Sequence, residues 1–446
     1  MKTKPIYRCL HCGHLENKWL GRCPNCGEWN TLVEQGVNCD RHQLQLSSIP
    51  LANLEVKDEL RLDAGLQELN RVLGGGIMAG SAVLLGGEPG VGKSTLMLLL
   101  AASVKTTRPV LLISGEESAA QLKMRAERLG LAQAKIEIST TTELEAMLGL
   151  FENLKPGLII IDSIQTVYSQ RIGSVWGTVN QMKYAAQEMI AWAKTNQGAL
   201  FLIGHVTKEG YLAGPKLLEH MVDTVLQLET ADQEWRVIRA TKNRFGSVDE
   251  IGIFEMTEQG LLQVKDPAGA FLEKRCGPLP PGVVVTPVFE GSRVLLIELQ
   301  SLVAPARSAT SRVFSDRIDP RLVFKAEGVL EKYCGISFAD CDVYVNVAGG
   351  LSVHEVGIEL PLCLSLYSSR LNLSFPEKTV ICGEVSLAGE IREVKNLDKR
   401  LRTAFELGFT CLVSAKTKEA PLPFLNIGME FKKVLSVAEA VRVVFG

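Results

Sequence analysis

Apolar and polar positions divide the chain into three stretches of different texture. Residues 1–34 show no periodic apolar pattern and are rich in Cys, Gly, Asn and Trp. A polar run from Gln35 to Ser48 follows, and residues 35–50 read as a linker. From Leu51 to Val264 short apolar runs alternate with longer amphipathic ones. The short runs are Ala82–Gly86, Val110–Ser114, Leu158–Asp162 and Ala199–Gly204, each with the length of a strand buried on both faces. Helical patterns lie between them, among them Thr95–Val104 and Ser118–Leu129. Buried strands alternating with helices predict an α/β domain with a central, mostly parallel sheet over residues 51–270. The cluster Gly277-Pro278-Leu279-Pro280-Pro281-Gly282 marks a second break. Beyond it, residues 283–446 predict another α/β domain. Its expected elements are a hairpin from Val283–Glu290 and Arg293–Leu302, a helix over Pro320–Cys334, strands Asp342–Ala348 and Thr379–Gly383, and a helix over Leu397–Leu407. No repeat of fixed period interrupts the pattern.

Composition narrows the class without changing this layout. A chain of 446 residues, 46% hydrophobic and 22% charged, matches a soluble globular protein of two or three domains. A net charge of -2 gives no global attraction to a polyanion. Nucleic acid would therefore meet local basic loops, or a channel made by several subunits. The first residues lack the apolar run of a signal peptide, and the strongest apolar stretch, Leu96–Val104, is half a membrane span. A cytoplasmic protein without membrane contact is the expectation. In a reducing compartment the 11 cysteines need a reading other than disulfides. Cys39, Cys276, Cys334, Cys341, Cys363, Cys382 and Cys411 are scattered and read as small buried hydrophobes.

The remaining four form two C-x2-C pairs, Cys9/Cys12 and Cys23/Cys26, each followed by a glycine, Gly13 or Gly27. Four thiolates at tetrahedral corners match Zn²⁺ and leave no open position, so the site is expected to be structural. Iron in a rubredoxin-like site is the alternative that spacing leaves open. Metal binding is worth roughly 10–16 kcal/mol in comparable peptides, more than so short a module gains from its apolar residues. Trp19 and Trp29 are expected to pack on the knuckles, with stacking on DNA as the weaker alternative.

Gly87-Glu88-Pro89-Gly90-Val91-Gly92-Lys93-Ser94 satisfies the phosphate-loop pattern between a predicted strand and a predicted helix. Residues Gly87 through Thr95 should bind ATP, with Lys93 on the β- and γ-phosphates and Ser94 on Mg²⁺. Leu158–Asp162 is an apolar strand ending in a carboxylate, and Asp162 should hold the metal's water shell. An edge strand, Val110–Ser114, leads to Glu116 and Glu117. Glu116 is the candidate base for the attacking water, with Glu117 as the alternative; both also fit the start of a helix. The next edge strand, Ala199–Gly204, ends at His205, which fits a γ-phosphate sensor and an ordinary loop histidine equally.

The cysteine module, Gly87–Thr95 and above all Lys242-Asn243-Arg244-Phe245-Gly246 resemble the bacterial RadA/Sms DNA-repair family over nearly the whole chain. The resemblance implies a zinc-binding module, a RecA-like ATPase domain and a Lon-peptidase-like C-terminal domain. It also implies DNA-stimulated hydrolysis of ATP in a homo-oligomer, a hexamer, driving branch migration or unwinding. The implied partners are single-stranded DNA, branched recombination intermediates and a RecA-type recombinase. Lys242 and Arg244 follow the strand Trp235–Ala240 and, at i and i+2, share a direction. The resemblance implies that they reach a neighbouring subunit's nucleotide; spacing alone equally fits a solvated basic edge. Two loops of such ATPases face DNA: here Ser169–Met182, with Arg171 and Trp176, and Val206–Lys216, with Lys208, Tyr211 and Lys216.

Val353–Leu360 and Cys382–Ile391 resemble the Lon peptidase domain. Its serine position falls on Gly357 and its lysine position on Asp398, so no Ser/Lys dyad is expected; Ser352 and Lys399 would need a shift in register. The run Arg307, Arg312, Arg317, Arg321 and Lys325 reads as a solvated face or as a DNA contact. Two other classes compete: an ATP-dependent Ser/Lys protease, and an ATP-switched repair adaptor without turnover.

Overall fold

The computed structural model describes residues 6–9, 11–35, 50, 61–173, 175, 177–204, 217–232, 234–264, 266–273, 277–306, 311–315, 317–415 and 428–446. Cys39, Trp176, His205, the loop Val206–Lys216, Cys276, Arg307 and most of the linker lie outside them. The chain forms two compact units, Met1–Asp58 and Glu59–Gly446.

In the first unit β1 (Ile6–Cys9) pairs antiparallel with β2 (Leu15–Glu16) on one side and β3 (Leu32–Gln35) on the other. Its core is Cys9, Cys23 and Leu32, with Tyr7 and Cys26 packed against them. So small a core has no room for two indoles. Trp19 and Trp29 instead flank Gly21 beside the second knuckle, with Arg22 5.7 Å over the Trp29 ring, and stay 55% and 68% exposed.

The second unit begins with a two-stranded ladder, β4 (Arg61–Leu62) with β5 (Ile77–Met78), enclosing α1 (Gln67–Val72). The chain then alternates as predicted: β6 (Ala82–Gly87), α2 (Lys93–Ser103), β7 (Val110–Ser114), α3 (Ala119–Arg128), β8 (Glu137–Ser139), α4 (Leu144–Leu154), β9 (Leu158–Asp162), α5 (Val179–Asn196) and β10 (Ala199–Ile203). After α6 (Leu217–Met221) come β11 (Thr224–Thr230), β12 (Trp235–Asn243), β13 (Ile251–Thr257) and β14 (Gly260–Gln263). One sheet orders them β14-β13-β12-β11-β6-β10-β9-β7-β8. From β11 to β8 all pairs are parallel, and the β12–β14 end is antiparallel. Alternate residues of the central strands turn to opposite faces. Val83, Leu85 and Phe201 meet α1–α3, whereas Leu84, Ile161 and Leu200 meet α4 and α5.

Neither run taken as an edge strand is one. β10 lies at the centre, between β6 and β9, and β7 is covered by β8. An unbroken apolar run marks an interior strand; the true edge, Glu137-Ile138-Ser139, is partly polar and carries exposed Glu137 and Ile138.

The rest contains β15 (Val283–Glu290), β16 (Arg293–Pro305), β17 (Val313–Ser315), α7 (Pro320–Cys334), β18 (Cys341–Val347), α8 (Glu359–Leu371), β19 (Thr379–Ile381), β20 (Glu384–Val385), β21 (Ile391–Arg392), α9 (Leu397–Glu406), β22 (Cys411–Ala415), β23 (Glu430–Val434) and α10 (Val437–Phe445). Seven strands form a sheet in the order β17-β18-β16-β15-β19-β22-β23. Residues of α7, α8 and α10 share one core with it, and α9 contributes to a second. The first core does not stop at the break expected near residues 277–282, in keeping with Glu59–Gly446 forming one unit. Ala231, Val237, Ile251, Ile253 and Phe271 belong to it. The β15–β16 turn adds polar ties: Glu290 pairs with Arg239 at 3.0 Å, and Arg293 donates to both oxygens of buried Glu68 at 2.5 and 2.8 Å.

Candidate nucleotide site and metal centre

The carboxyl ends of β6, β7 and β9 meet at one edge of the sheet. β6 passes through the glycine loop straight into α2, which begins at Lys93. Gly90 and Gly92 have φ of 80° and 111°, a region that residues with a Cβ rarely adopt. Such a curl at a helix N-terminus suits an anion. Lys93 is 5% exposed, and its Nζ donates to the carbonyls of Gly87 (2.8 Å) and Glu88 (2.9 Å). Burial lowers its pKa, opposed by the charges of Asp162 and Glu116.

Asp162 is 5% exposed, and burial raises its pKa, opposed first by a hydrogen bond from Ser94. Its Oδ1 is buried without a hydrogen-bond partner. A hydroxyl, a carboxylate with one open oxygen and a lysine beside a glycine loop are a donor set that fits Mg²⁺ and a triphosphate.

Ser114 pairs with Asp162 in register, and Gly115 N–H donates to the Asp162 carbonyl at 2.8 Å, so Glu116 emerges beside Asp162. Glu116 accepts from the Ser163 hydroxyl at 2.5 Å. Glu117 is held by Arg125, and Ser118 caps α3 through a capping box with Gln121. The two carboxylates thus precede the helix, with Glu117 tied to it through Arg125.

The pentapeptide sits elsewhere. β12 extends to Asn243, so Lys242 lies inside the strand and not after it. Lys242 is level with Val225, which is level with Leu84, three residues before Gly87. At about 3.3 Å per residue that is about 10 Å from the loop's start, toward the opposite edge of the sheet. Lys242 Nζ donates to the carbonyls of Glu219 (2.7 Å), Val222 (2.7 Å) and His220 (3.4 Å), at the end of α6. Burial and then neighbouring Arg244 lower its pKa. Asn243 Nδ2 donates to the Val72 carbonyl at 3.1 Å, and Arg61 donates to that of Phe245 at 2.6 Å. Gly246 lies against Gly74, where a Cβ would come within 2.8 Å of the Gly74 Cα. Arg244 differs from the rest: its side chain is 57% exposed and only 3.5 Å from Asp223 Oδ1.

Two contacts had no sequence signal. One is Ser163 on Glu116; the other is Arg236, near the start of β12, whose Nε donates to the Val91 carbonyl at 3.1 Å. Of the two loops expected to face DNA, the first is anchored by Ser169, whose hydroxyl donates to Glu145 at 2.5 Å. It exposes Arg171, 72% accessible and 3.4 Å from Glu145.

The four cysteine sulfurs all lie within 4.8 Å of one another, with Cys9–Cys26 at 3.7 Å and Cys12–Cys23 at 3.6 Å. A tetrahedron with Zn–S bonds of about 2.3 Å has edges of about 3.8 Å. Gly13 and Gly27 donate to the Cys9 and Cys23 carbonyls, each at 2.9 Å, closing the knuckles. The Thr31 hydrogen bond, followed by the amides of Cys12 and His11, holds the Cys9 thiol down at about 5. Four converging sulfurs fit a closed, structural Zn²⁺ site.

Of the scattered cysteines, Cys341, Cys363, Cys382 and Cys411 are buried and Cys334 is half-buried. In the C-terminal sheet Gly357 sits in a 3-10 turn, Val356–Ile358, and Asp398 in the first turn of α9. Between these elements Arg400, 1% exposed, is paired with Glu355, and Lys399 lies 5.5 Å over the Phe289 ring. The basic run is largely neutralised. Arg312 pairs with Asp342 at 2.9 Å, Arg321 with Asp319 at 2.6 Å and Lys325 with Glu359 at 2.7 Å.

A rubredoxin metal binding domain family matches residues 7–34, and an AAA domain family matches residues 49–211. The DNA repair protein RadA of Treponema pallidum is 46% identical over 419 residues, 92% of each chain. Its counterpart in Bacillus subtilis is 39% identical over 100% of this chain and 99% of its own, and that of Aquifex aeolicus 40% over the whole of both. Among solved structures, a KaiC-like protein of Pyrococcus horikoshii aligns with 46% of this chain and 98% of its own, at 17% identity and a TM-score of 0.39.

Proposed function

The chain belongs to the RadA family of DNA repair proteins, and from that premise we propose a motor that hydrolyses ATP between subunits of a hexameric ring, translocating on single-stranded DNA to process or branch-migrate recombination intermediates. The observation that carries the reading is the split between two groups of residues. Lys93, Ser94, Asp162 and Glu116 gather at the glycine loop, whereas Arg244 lies exposed near the opposite edge of the same sheet. The cation in this reading serves another subunit's nucleotide, giving up its 3.5 Å pair with Asp223 to do so.

In this reading Lys93 binds the β- and γ-phosphates. Ser94 and Asp162 hold Mg²⁺, which when bound neutralises phosphate charge. Glu116, oriented by Ser163, accepts a proton from the attacking water. Arg244 of a neighbour stabilises charge on the transferred phosphoryl group, an effect worth roughly 10³–10⁵ in rate in related enzymes. Lys242 contributes by fixing the end of α6, as its three carbonyl contacts suggest. Cys9, Cys12, Cys23 and Cys26 hold Zn²⁺. Arg171 touches the DNA backbone, and a RecA-type recombinase enters as a partner on family resemblance alone. Among the described residues no helix is long and apolar enough to cross a membrane, and the cytoplasm is the proposed location.

The test is steady-state hydrolysis with and without single-stranded DNA at two salt concentrations. DNA should stimulate turnover, the stimulation should fall steeply with salt, and Lys93→Ala should abolish hydrolysis. Equal rates with and without DNA would reject the motor and leave an ATPase of another kind.

A further inference from the structure

Three backbone carbonyls converge on one guanidinium beside the phosphate loop. Arg236 donates from Nε to Val91 at 3.1 Å, and from Nη1 to Asp232 at 2.9 Å and Trp235 at 3.0 Å. The peptide joining Val91 to Gly92 is trans, so its C=O and its N–H point in opposite directions. Drawing the Val91 oxygen outward toward Arg236 therefore aims the Gly92 N–H inward, to the side where such loops receive phosphate. A charged donor strengthens that hold.

The far side of the same turn is held by the C-terminal domain. Gly350, in the turn Ala348–Gly350 after β18, has φ of 68°, and a Cβ there would come within 1.6 Å of the Ala231 carbonyl oxygen. Trp235 and Phe271 stand 6.1 Å apart, and a Cβ on Gly349 would meet Phe271 at 2.6 Å. The turn between β11 and β12 is thus wedged, with the C-terminal domain behind it and the phosphate loop in front.

We propose that Arg236 is a positioning residue for the phosphate loop, and that the C-terminal domain sets nucleotide affinity through Gly350, Ala231 and this guanidinium. The proposal rests on Gly87–Ser94 being the ATP site and does not require a motor. The test uses the full chain: wild type, Arg236→Met, Arg236→Lys, Gly350→Ala and, as control, Arg71→Met. Arg71 also ties the two domains, but its hydrogen bond and ion pair run to Ser292 at 3.1 Å and Glu250 at 3.9 Å. A fluorescent ATP analogue with Mg²⁺ reports Kd, hydrolysis reports KM and kcat, and thermal melting reports folding.

Arg236→Met should raise Kd and KM about tenfold or more, from losing the one of its three charged hydrogen bonds that reaches the loop, while kcat at saturation holds. Arg236→Lys should recover part of the affinity, Gly350→Ala should weaken binding in the same direction, and Arg71→Met should bind as wild type. Folded Arg236→Met with unchanged Kd, or with lowered kcat and unchanged Kd, would overturn the positioning role. Should the methionine variant fail to fold, unchanged Kd in folded Arg236→Lys would do the same. Wild-type affinity in Gly350→Ala would remove the C-terminal domain from the proposal. Nucleotide binding without stimulation by DNA would count against the motor and leave these comparisons intact.

Discussion

Glu116 and Glu117 stand side by side at the end of β7, and their neighbours give them different work. Glu117 shares its charge with Arg125 on α3, a pair whose side chains are each 24% exposed. Glu116 accepts the Ser163 hydroxyl, and its charge acts on both Lys93 and Asp162, whereas that of Glu117 acts on Asp162. Glu116, the nearer of the two to both Lys93 and Asp162 in its electrostatic influence, is therefore the base in the proposed mechanism. Glu116→Gln should lower kcat by about 10²–10⁴ with nucleotide still bound, the usual range for removal of a general base. Glu117→Gln should cost a partly exposed ion pair, about 1 kcal/mol or less of stability, and leave most of kcat. Single-turnover hydrolysis beside thermal melts of the two variants decides the matter, and the reverse pattern would hand the base role to Glu117. The same contrast of neighbours applies within the pentapeptide. Lys242, Asn243, Phe245 and Gly246 make internal contacts that fix the turn after β12, whereas Arg244, bonded to Asp223 through its amide and its guanidinium, keeps a side chain that is 57% exposed.

Among the elements, α9 is anchored by a buried ion pair. Arg400 is buried between α9 and the turn that carries Gly357, paired with Glu355 and also donating to the Lys395 carbonyl at 3.0 Å. Glu355 in turn accepts the Phe289 amide at 2.6 Å. Removing one partner strands the other, so Arg400→Met should destabilise the C-terminal sheet by about 3–5 kcal/mol in urea unfolding. Adding Glu355→Gln should recover part of that loss; two independent, additive losses would show that the pair is not coupled. The elements also show what the sequence could reveal. β6, β7, β9 and β10 are interior parallel strands, apolar on both faces, and such runs are legible. α8 was not, because it is buried on nearly every side and has no polar stripe. Its Pro361, Ser365 and Ser368 are inside, with Ser365 meeting Ser301 at 2.7 Å. The phosphate loop and the cysteine pairs were legible because their ligands are contiguous in the chain. Ser163 and Arg236 act through partners 47 and 145 residues away, and no local pattern announces such contacts.

At the scale of the whole molecule, the position of Arg244 makes the assembly itself testable. β12 runs antiparallel to β11, carrying its end away from the loop that its start helps to hold. If hydrolysis needs Arg244 of a neighbour, the loop and the finger of one subunit belong to two different sites. Arg244→Ala subunits then offer an intact loop and no finger, and Lys93→Ala subunits the converse. Each pure ring should be nearly inactive. Mixed at equal amounts and allowed to exchange, about a quarter of head-to-tail interfaces should pair an intact loop with an intact finger. Hydrolysis should then rise well above the sum of the two pure variants. Arg244 is the better choice for this test, since replacing Lys242 would also uncap the carbonyls at the end of α6. Were Arg244 to serve its own subunit, no mixture could complete a site, and activity would stay at the sum of the parts. That outcome, with subunit exchange verified by labelled chains, would contradict the placement of the cation near the opposite edge of the sheet as the basis of a shared site.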